Sequence, residues 1–202
     1  MQYLNQSHLT FNGFFNQPIA GNLPTRLQCL ELSYDFDYPI KGHIPNSVTH
    51  LTLRCAYNHS IRDAIPHRVT YLSLGYNYPG SLQGCIPESV THLTFFEFDQ
   101  SIEGCIPKSV THLIFESKFD RSIKGCIPDS VTHLNIGGEF DRPIEGCIPD
   151  SVIHIRFGSC FRQPIDSLPP TVKKITMYAR DPKTIPKDLM PKIDFLSHWY
   201  SS

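Results

Sequence analysis

A Leu-Pro or Ile-Pro pair that returns at a nearly fixed interval is the feature that most constrains the fold. The pairs begin at Leu23, Ile44, Ile65, Ile86, Ile106, Ile127, Ile148, Leu168 and Ile185, so the steps are 21, 21, 21, 20, 21, 21, 20 and 17 residues. A period in the low twenties over many copies is typical of solenoids of the leucine-rich-repeat size class. We therefore expect a mainly β, leucine-rich-repeat-like solenoid with about ten rungs of roughly 21 residues.

Each repeat contains a short stretch with strand periodicity. The copy from Gly104 to Phe115 reads Gly-Cys-Ile-Pro-Lys-Ser-Val-Thr-His-Leu-Ile-Phe, and close copies start at Gly42, Gly84, Gly125 and Gly146. Leu113 and Phe115 are two residues apart, so both point to one side of a strand, which we expect to be the core. The sequence predicts short parallel strands on one face and irregular or 3₁₀ segments, rich in Pro, Gly and Ser, on the other.

The repeat also predicts the domain organisation. Because each rung packs only on its neighbours, one continuous core is expected, and residues 1–202 form a single solenoid domain. We expect an N-terminal cap and first half-repeat over 1–22, regular repeats over 23–178, and a degenerate last repeat with a C-terminal cap over 179–202. The cap would place Leu196 to Tyr200, including Trp199, over the end of the core.

Charge and hydropathy exclude several partner classes. The 18 Lys and Arg and 19 Asp and Glu residues are scattered, so the basic face of a nucleic-acid binder is not expected. No apolar run is long enough to cross a bilayer, and the first residues lack the pattern of a secretory signal. We expect no membrane partner and an intracellular location.

Four of the seven cysteines occupy one repeat position, and they are Cys85, Cys105, Cys126 and Cys147. We expect them to form a column with a rung spacing of about 4.8 Å, which a disulfide tolerates. An odd count without a secretory signal favours reduced, buried, small apolar side chains that support the repeat.

A second recurring block contains an aromatic residue, Asn or Asp, and then Pro-Ile or Ser-Ile, as in Phe119-Asp120-Arg121-Ser122-Ile123. Together with the Ile-Pro pair, this block resembles the FNIP repeat family, described in social amoebae and abundant in giant viruses of amoebae. The resemblance covers roughly residues 8 to 190 and implies a leucine-rich-repeat-like solenoid, in the host cytoplasm if the chain is viral.

The resemblance also raises a ubiquitin-related function. Many viral members place an F-box ahead of the repeats, which would dock them to a ubiquitin ligase. Here the repeats begin within about the first ten residues, so we expect no F-box in this chain. A substrate-binding adaptor would then need to reach the ubiquitin machinery through another subunit.

Asn and Asp residues follow the aromatic position and form a third column. They are Asn16, Asp37, Asn58, Asp99, Asp120 and Asp141. Such short side chains bond to neighbouring backbone groups, and we expect them to pin a corner of the rung. A cation-binding acidic ladder is the alternative, although Asn16 and Asn58 interrupt it.

Histidines recur at the first strand position, where strand alternation predicts that they face outward. They are His8, His50, His92, His112, His133 and His154. A structural ladder that supports the repeat is the favoured interpretation, and metal binding or pH sensing are the alternatives. Cys-x-x-Cys spacing is absent, and the cysteine column lies seven residues earlier, so we predict neither a metal nor another cofactor.

Nothing in the sequence predicts catalysis, because repeat registry explains the positions of the Cys and His residues and no catalytic motif is present.

Positions that differ between rungs are the better functional candidates, since they can form a surface. The outward partner-binding candidates are Glu31, Thr52, Arg54, Ser73, Thr94, Phe96, Ile114, Glu116, Asn135, Arg156, Thr176 and Tyr178, with Ser33 at the same face.

The sequence therefore predicts a non-enzymatic scaffold that binds an unidentified protein on its outward strand face. A structural component that self-associates is the main alternative, and the ubiquitin adaptor is a further one.

Overall fold

The computed structural model describes residues 7–11, 13–53, 57–75, 80–178 and 185–196, which form one parallel ten-stranded sheet. Neighbours in the sheet are neighbours in the chain, so every connection makes one turn of a solenoid. The strands β1 to β10 are His8–Thr10, Cys29–Leu32, His50–Leu53, Tyr71–Leu74, His92–Phe95, His112–Phe115, His133–Ile136, His154–Phe157, Lys174–Tyr178 and Ile193–Leu196. The predicted leucine-rich-repeat-like solenoid is confirmed.

Strand alternation separates the core from the outer surface. In β6, Leu113 and Phe115 are fully buried, whereas His112 and Ile114 are partly exposed. The register pairs Leu113 with Leu93 of β5 and with Leu134 of β7, so the inward side chains stack into one continuous hydrophobic core. Each rung thus contributes a thin apolar layer that only its neighbours can cover.

Two tight turns return the chain behind each strand. In the β6 rung, Cys105 N–H donates to Ile102 O at 3.1 Å, and Val110 N–H donates to Pro107 O at 3.2 Å. Gly104 sits in the first turn at φ +64°, a left-handed conformation that side chains disfavour. The described residues hold no α-helix and one 3₁₀ helix, Met190–Lys192, in agreement with the predicted irregular far side.

A phenylalanine ladder fills the far side of the core, and the nearly parallel rings of Phe119 and Phe140 have centroids 6.2 Å apart. The Asn/Asp column pins this corner as predicted. A backbone N–H of the next rung donates to each of Asn16, Asp37, Asp99, Asp120 and Asp141. Asp120 N–H donates to Asp99 Oδ1 at 3.3 Å, for example. Burial alone would raise the pKa of Asp120, but the Asp141 amide and the Arg142 guanidinium outweigh it and lower that pKa.

Parts of the predicted caps lie outside the described residues. These are residues 1–6 of the N-terminal cap, and residues 179–184 and 197–202 of the C-terminal segment, which include Trp199. The described part of the last rung consists of residues 185–196, with β10 paired in parallel to β9.

Candidate functional site

The outward side of the sheet carries two parallel columns of side chains, which together form the strand face. The histidine column comprises the first strand positions, which are His8, Cys29, His50, Tyr71, His92, His112, His133, His154 and Lys174. The central column comprises the third positions of β1 to β9, which are Thr10, Glu31, Thr52, Ser73, Thr94, Ile114, Asn135, Arg156 and Thr176. It continues at Asp194 of β10, which pairs with Thr176. The register keeps each column continuous from rung to rung.

The structure places most partner-binding candidates at the surface. Arg156 and Glu116 are exposed, and the partly exposed candidates are Glu31, Thr52, Ser73, Thr94, Phe96, Ile114, Asn135, Thr176 and Tyr178. Arg54 lies outside the described residues. Phe96 and Glu116 follow the ends of β5 and β6, so they border the strand face instead of belonging to the central column.

Ser33 was expected on the outward face, and this prediction is wrong. The side chain is buried, with 3% of its surface exposed. Strand β2 ends at Leu32, so alternation does not extend to Ser33. Its hydroxyl instead donates to Phe15 O of the preceding rung at 2.6 Å.

The histidine column forms a stack of rings. Ring centroids from His50 through Tyr71, His92 and His112 to His133 are 4.1 to 4.3 Å apart, with interplanar angles of 23° or less. The stack breaks after His133, because the His154 ring is tilted by 71° at a centroid distance of 5.7 Å. This break opens the surface next to Asn135 and Arg156.

A threonine directly before most of these histidines holds the ring in place. Thr111 Oγ1 lies 2.9 Å from His112 Nδ1 and 3.2 Å from Thr91 O. The hydroxyl donates to that carbonyl, which also accepts the backbone N–H groups of Thr111 at 2.9 Å and His112 at 3.0 Å. The threonine therefore ties the His112 ring to the preceding rung and fixes its orientation.

The same geometry recurs one rung further. Thr132 Oγ1 lies 2.9 Å from His133 Nδ1, and Thr111 O accepts the backbone N–H groups of Thr132 at 2.9 Å and His133 at 3.1 Å. Thr132 Oγ1 also donates to Thr111 O at 3.2 Å, so the His133 ring is held in the same way. At His154, Nε2 lies 3.2 Å from Thr176 Oγ1.

Packing of the rings against one another disfavours their charged form. Burial lowers the pKa of His92, His112 and His154, and neighbouring charges lower these pKa values further. His92 and His133 face His112, while His133, Lys174 and Arg156 act on His154 against the opposite effect of Asp194. At neutral pH these three rings are therefore uncharged.

Two concavities meet at Asn135 and Arg156. The histidine-side concavity, of about 150 Å³, is lined by His112, Ile114, His133, Leu134, Asn135, His154 and Arg156. The glycine-side concavity, of about 280 Å³, is lined by Phe115, Glu116, Ser117, Asn135, Gly137, Gly138, Arg156, Gly158, Ser159 and Tyr178. Asn135 and Arg156 thus form a low ridge between two hollows of the strand face.

Close backbone packing forms the floor of the glycine-side concavity. A Cβ at Gly137 would overlap the carbonyl oxygen of Glu116, and one at Gly158 would overlap that of Gly137. Side chains are therefore excluded at these positions, and the surface beside the ridge stays recessed.

The cysteine column lies away from the strand face. Cys85, Cys105 and Cys147 are buried and Cys126 is partly buried, and all four are free thiols. Their Sγ atoms point to nearby carbonyl oxygens, as Cys105 does to Glu103 O at 3.4 Å. Burial raises the pKa of Cys105, Cys126 and Cys147, which keeps these thiols protonated and poorly nucleophilic.

Other kinds of site find no support in the part of the chain that the structure describes. It contains no group of three or more metal-ligating side chains. None of its helices has the length and apolar character needed to span a membrane. A cavity of about 660 Å³ lies at the first rung among Leu9, Phe11, Phe15 and Leu23, away from the strand face.

Sequence reasoning missed the threonine ties and the glycine floor. The recurring Thr-His pair was a usable signal for the ties, because it appears in four copies. The floor gave no comparable signal, since Gly137 and Gly158 matter through contacts between rungs that no local pattern encodes.

Comparison with known structures identifies a related solenoid. The chain is similar to CroV588, a giant-virus protein whose crystal structure is described as a novel circular LRR protein structure, with 35% sequence identity and a TM-score of 0.75. The match covers 85% of this chain but 27% of CroV588, so this chain spans about a quarter of that protein's length. A comparison with curated proteins finds no match.

The FNIP Repeat model matches residues 15–56, 57–97, 81–118, 98–139, 119–160 and 140–178. Repeat solenoids of this kind suit protein–protein interaction and are typically non-enzymatic scaffolds. The matches run without a gap from residue 15 to residue 178 and so cover most of the sequence. The chain therefore belongs to the FNIP repeat family.

Proposed function

We propose that the chain is a non-enzymatic scaffold that binds a protein partner on its strand face. The observation that carries this proposal is the central column, where Thr94, Ile114, Asn135 and Arg156 succeed one another at equivalent, partly or fully exposed positions. A uniform backbone thus presents a varied surface. The setting is intracellular, in the host cytoplasm if the source is a virus.

Preorganisation favours such a function. The strands are hydrogen-bonded to both neighbours, and rows of hydroxyl groups tie each rung to the previous one, as Ser109 Oγ does by donating to Val90 O at 2.7 Å. A partner that binds this surface needs to order little of the scaffold, so the entropic cost of binding is low.

Affinity capture tests the proposal. Biotinylated chain is incubated with amoebal lysate, and captured proteins are identified and quantified by mass spectrometry. The strand-face variant Thr94→Arg places a long charged side chain in the central column. We expect it to lose at least one protein that the wild type enriches, because the added side chain blocks close approach.

The matched control is Thr25→Arg, which makes the same change at an exposed turn position away from the strands, combined with circular dichroism of both variants to verify folding. The partner would then be purified and its dissociation constant measured by calorimetry. Identical capture by the wild type and by a folded Thr94→Arg variant would contradict the proposal.

Self-association is a second candidate, favoured by exposed apolar side chains at the outermost described strands. Phe195 of β10 lies in register with buried Met177 of β9, yet 42% of its surface is exposed. The similar protein CroV588 is described as circular. Stacking between copies would cover Phe195 and place β10 beside β1 of a second copy.

Light scattering at micromolar concentration tests this candidate. Self-association predicts a mass that rises with concentration and falls in the variant Phe195→Asp. A monomer of unchanged mass over the whole range would contradict it.

A ubiquitin-adaptor role rests on family membership alone, and nothing in the described residues favours it over other partners.

A further inference from the structure

We propose that the ridge of Asn135 and Arg156 anchors an acidic side chain of an extended segment in the protein partner. This inference rests on the proposed function and specifies the chemistry of the partner at one place on the strand face. The place is the histidine-side concavity, between β6 and β8, where the histidine stack breaks.

The first argument is the set of hydrogen-bond donors around this concavity. His112 and His133 line the concavity, and in its protonated form either ring donates from Nε2. Arg156 adds a guanidinium, which has donors only, and Asn135 adds the amide donors of its side chain.

The second argument is that these donors lack acceptors. Within the described residues, neither Arg156 nor Asn135 makes a side-chain hydrogen bond or an ion pair, and Nε2 of His112 and His133 has no hydrogen-bond partner. Elsewhere the exposed guanidinium groups of Arg121 and Arg142 bind Asp99 and Asp120 at 2.8 Å. Arg156 is thus an arginine of the strand face that a carboxylate from another molecule can pair.

The third argument is charge along the central column. Near the ridge, Asp194 is a column carboxylate, and Lys174 neutralises it at 2.8 Å. Glu116 lines the glycine-side concavity but not the histidine-side concavity, where Arg156 is the charged side chain. The charge that lines the histidine-side concavity is therefore positive, which selects an acidic occupant.

The sizes and shapes of the two concavities favour the binding of one side chain from an extended segment. A volume of about 150 Å³ holds one side chain and excludes a folded element. The glycine-side concavity, of about 280 Å³, continues on the other side of the ridge and gives an extended chain a recessed path along the strand direction. A guanidinium grips a carboxylate through two parallel hydrogen bonds, which adds direction to the attraction.

Peptide selection tests this inference. A library of random 12-residue peptides, displayed with their C-termini fused to the carrier, is selected against the full chain, so that side chains supply the carboxylates. The same selection is made against Arg156→Glu and against the control Arg68→Glu, which makes the same charge change at an exposed turn. Circular dichroism verifies that all three proteins are folded.

We expect Asp or Glu at one peptide position with the wild type and with Arg68→Glu, and Lys or Arg at that position with Arg156→Glu. For a selected acidic peptide, Arg156→Glu should weaken binding about tenfold or more by fluorescence anisotropy, equivalent to about 1.4 kcal/mol. Asn135→Leu, which keeps the size and removes the donors, should weaken binding by a smaller factor.

Two other outcomes are distinguishable. Selected peptides without an acidic preference, whose binding Thr94→Arg still abolishes, would overturn the acidic anchor and leave the proposed function intact. Peptides that bind Arg156→Glu and Thr94→Arg as well as the wild type would contradict both.

Discussion

Thr111 Oγ1 lies 2.9 Å from Nδ1 of His112, and this contact fixes one ring of the histidine column. The ring in turn stacks on His133 at a centroid distance of 4.3 Å. A hydroxyl one residue before the strand therefore orients a side chain on the strand face. Removing the hydroxyl while keeping the shape of the side chain isolates its effect.

Thr111→Val should lower the free energy of unfolding by about 1 kcal/mol, because Nδ1 loses its hydrogen-bond partner. Urea denaturation followed by circular dichroism measures the change. Thr111→Ser keeps the hydroxyl and serves as the matched control, with a smaller expected loss. Equal stability of the Val variant and the wild type would show that the contact contributes nothing.

Stability should fall as the pH drops through the histidine range. Burial lowers the folded-state pKa of His92, His112 and His154, whereas the unfolded chain takes up protons near the ordinary histidine value of 6.5. Between these pKa values the unfolded state binds more protons, so the free energy of unfolding decreases with decreasing pH. Below the folded-state pKa values this contribution is lost completely.

Urea denaturation at pH 7.5 and pH 5.5 measures this dependence. The carboxyl groups with lowered pKa, Asp37 and Asp120, start from a value of 3.8, so their effect lies at lower pH. The variant His112→Gln should show a weaker dependence, because one of the three titrating groups is removed. Stability that rises on acidification would contradict the account.

Asp63 occupies a turn position where other rungs have glycine. Its φ is +57°, while Gly42 and Gly84 have φ values of +76° and +67°. Asp63→Gly should raise the free energy of unfolding by about 0.5–1 kcal/mol, because relief of the left-handed strain exceeds the entropic cost of glycine.

Thermal and urea denaturation of two variants, Asp63→Gly and Asp63→Ala, separates the effect of backbone strain from the effect of removing the charge. The Ala variant also removes the exposed ion pair with Lys41, which spans 3.4 Å and contributes little, but it keeps the strain. A gain of equal size in both variants would assign the effect to charge and contradict the explanation from backbone strain.

Gly137 is required by close packing between rungs. Gly137→Ala would force a methyl group against Glu116 O, and we expect a loss of about 1–3 kcal/mol in unfolding free energy. Gly13→Ala is the matched control, since a Cβ there meets no atom within 4 Å. If both variants lose the same stability by urea denaturation, the close approach is not the cause.

The architecture could be predicted from the sequence because every repeat contains the same local pattern of apolar and polar residues. The alternation of Leu113 and Phe115 with His112 and Ile114 predicted which side chains face the core. Alternation failed at Ser33, where the strand ends one residue earlier and the hydroxyl bonds to the preceding rung. Strand length is set by contacts between rungs, which one repeat does not reveal.

The sequence predicted the candidate site only as an outward strand face, without the concavities within it. Asn135 and Arg156 were identified as variable outward positions, but the two concavities beside them depend on the tilt of His154 and on the glycine floor. Both features arise from packing between successive rungs. The orientation of the His112 ring likewise depends on Thr91 O, which accepts the Thr111 hydroxyl and belongs to another rung.

A glutamate scan along the central column tests the central claim most directly. The purified partner is titrated against single variants, and its dissociation constants are measured by calorimetry. The scanned positions are Thr52, Ser73, Thr94, Asn135 and Thr176. We expect the largest loss of affinity at Asn135, at least about tenfold, and a progressive decrease towards Thr52. Equal affinities at all five positions would contradict recognition by the strand face.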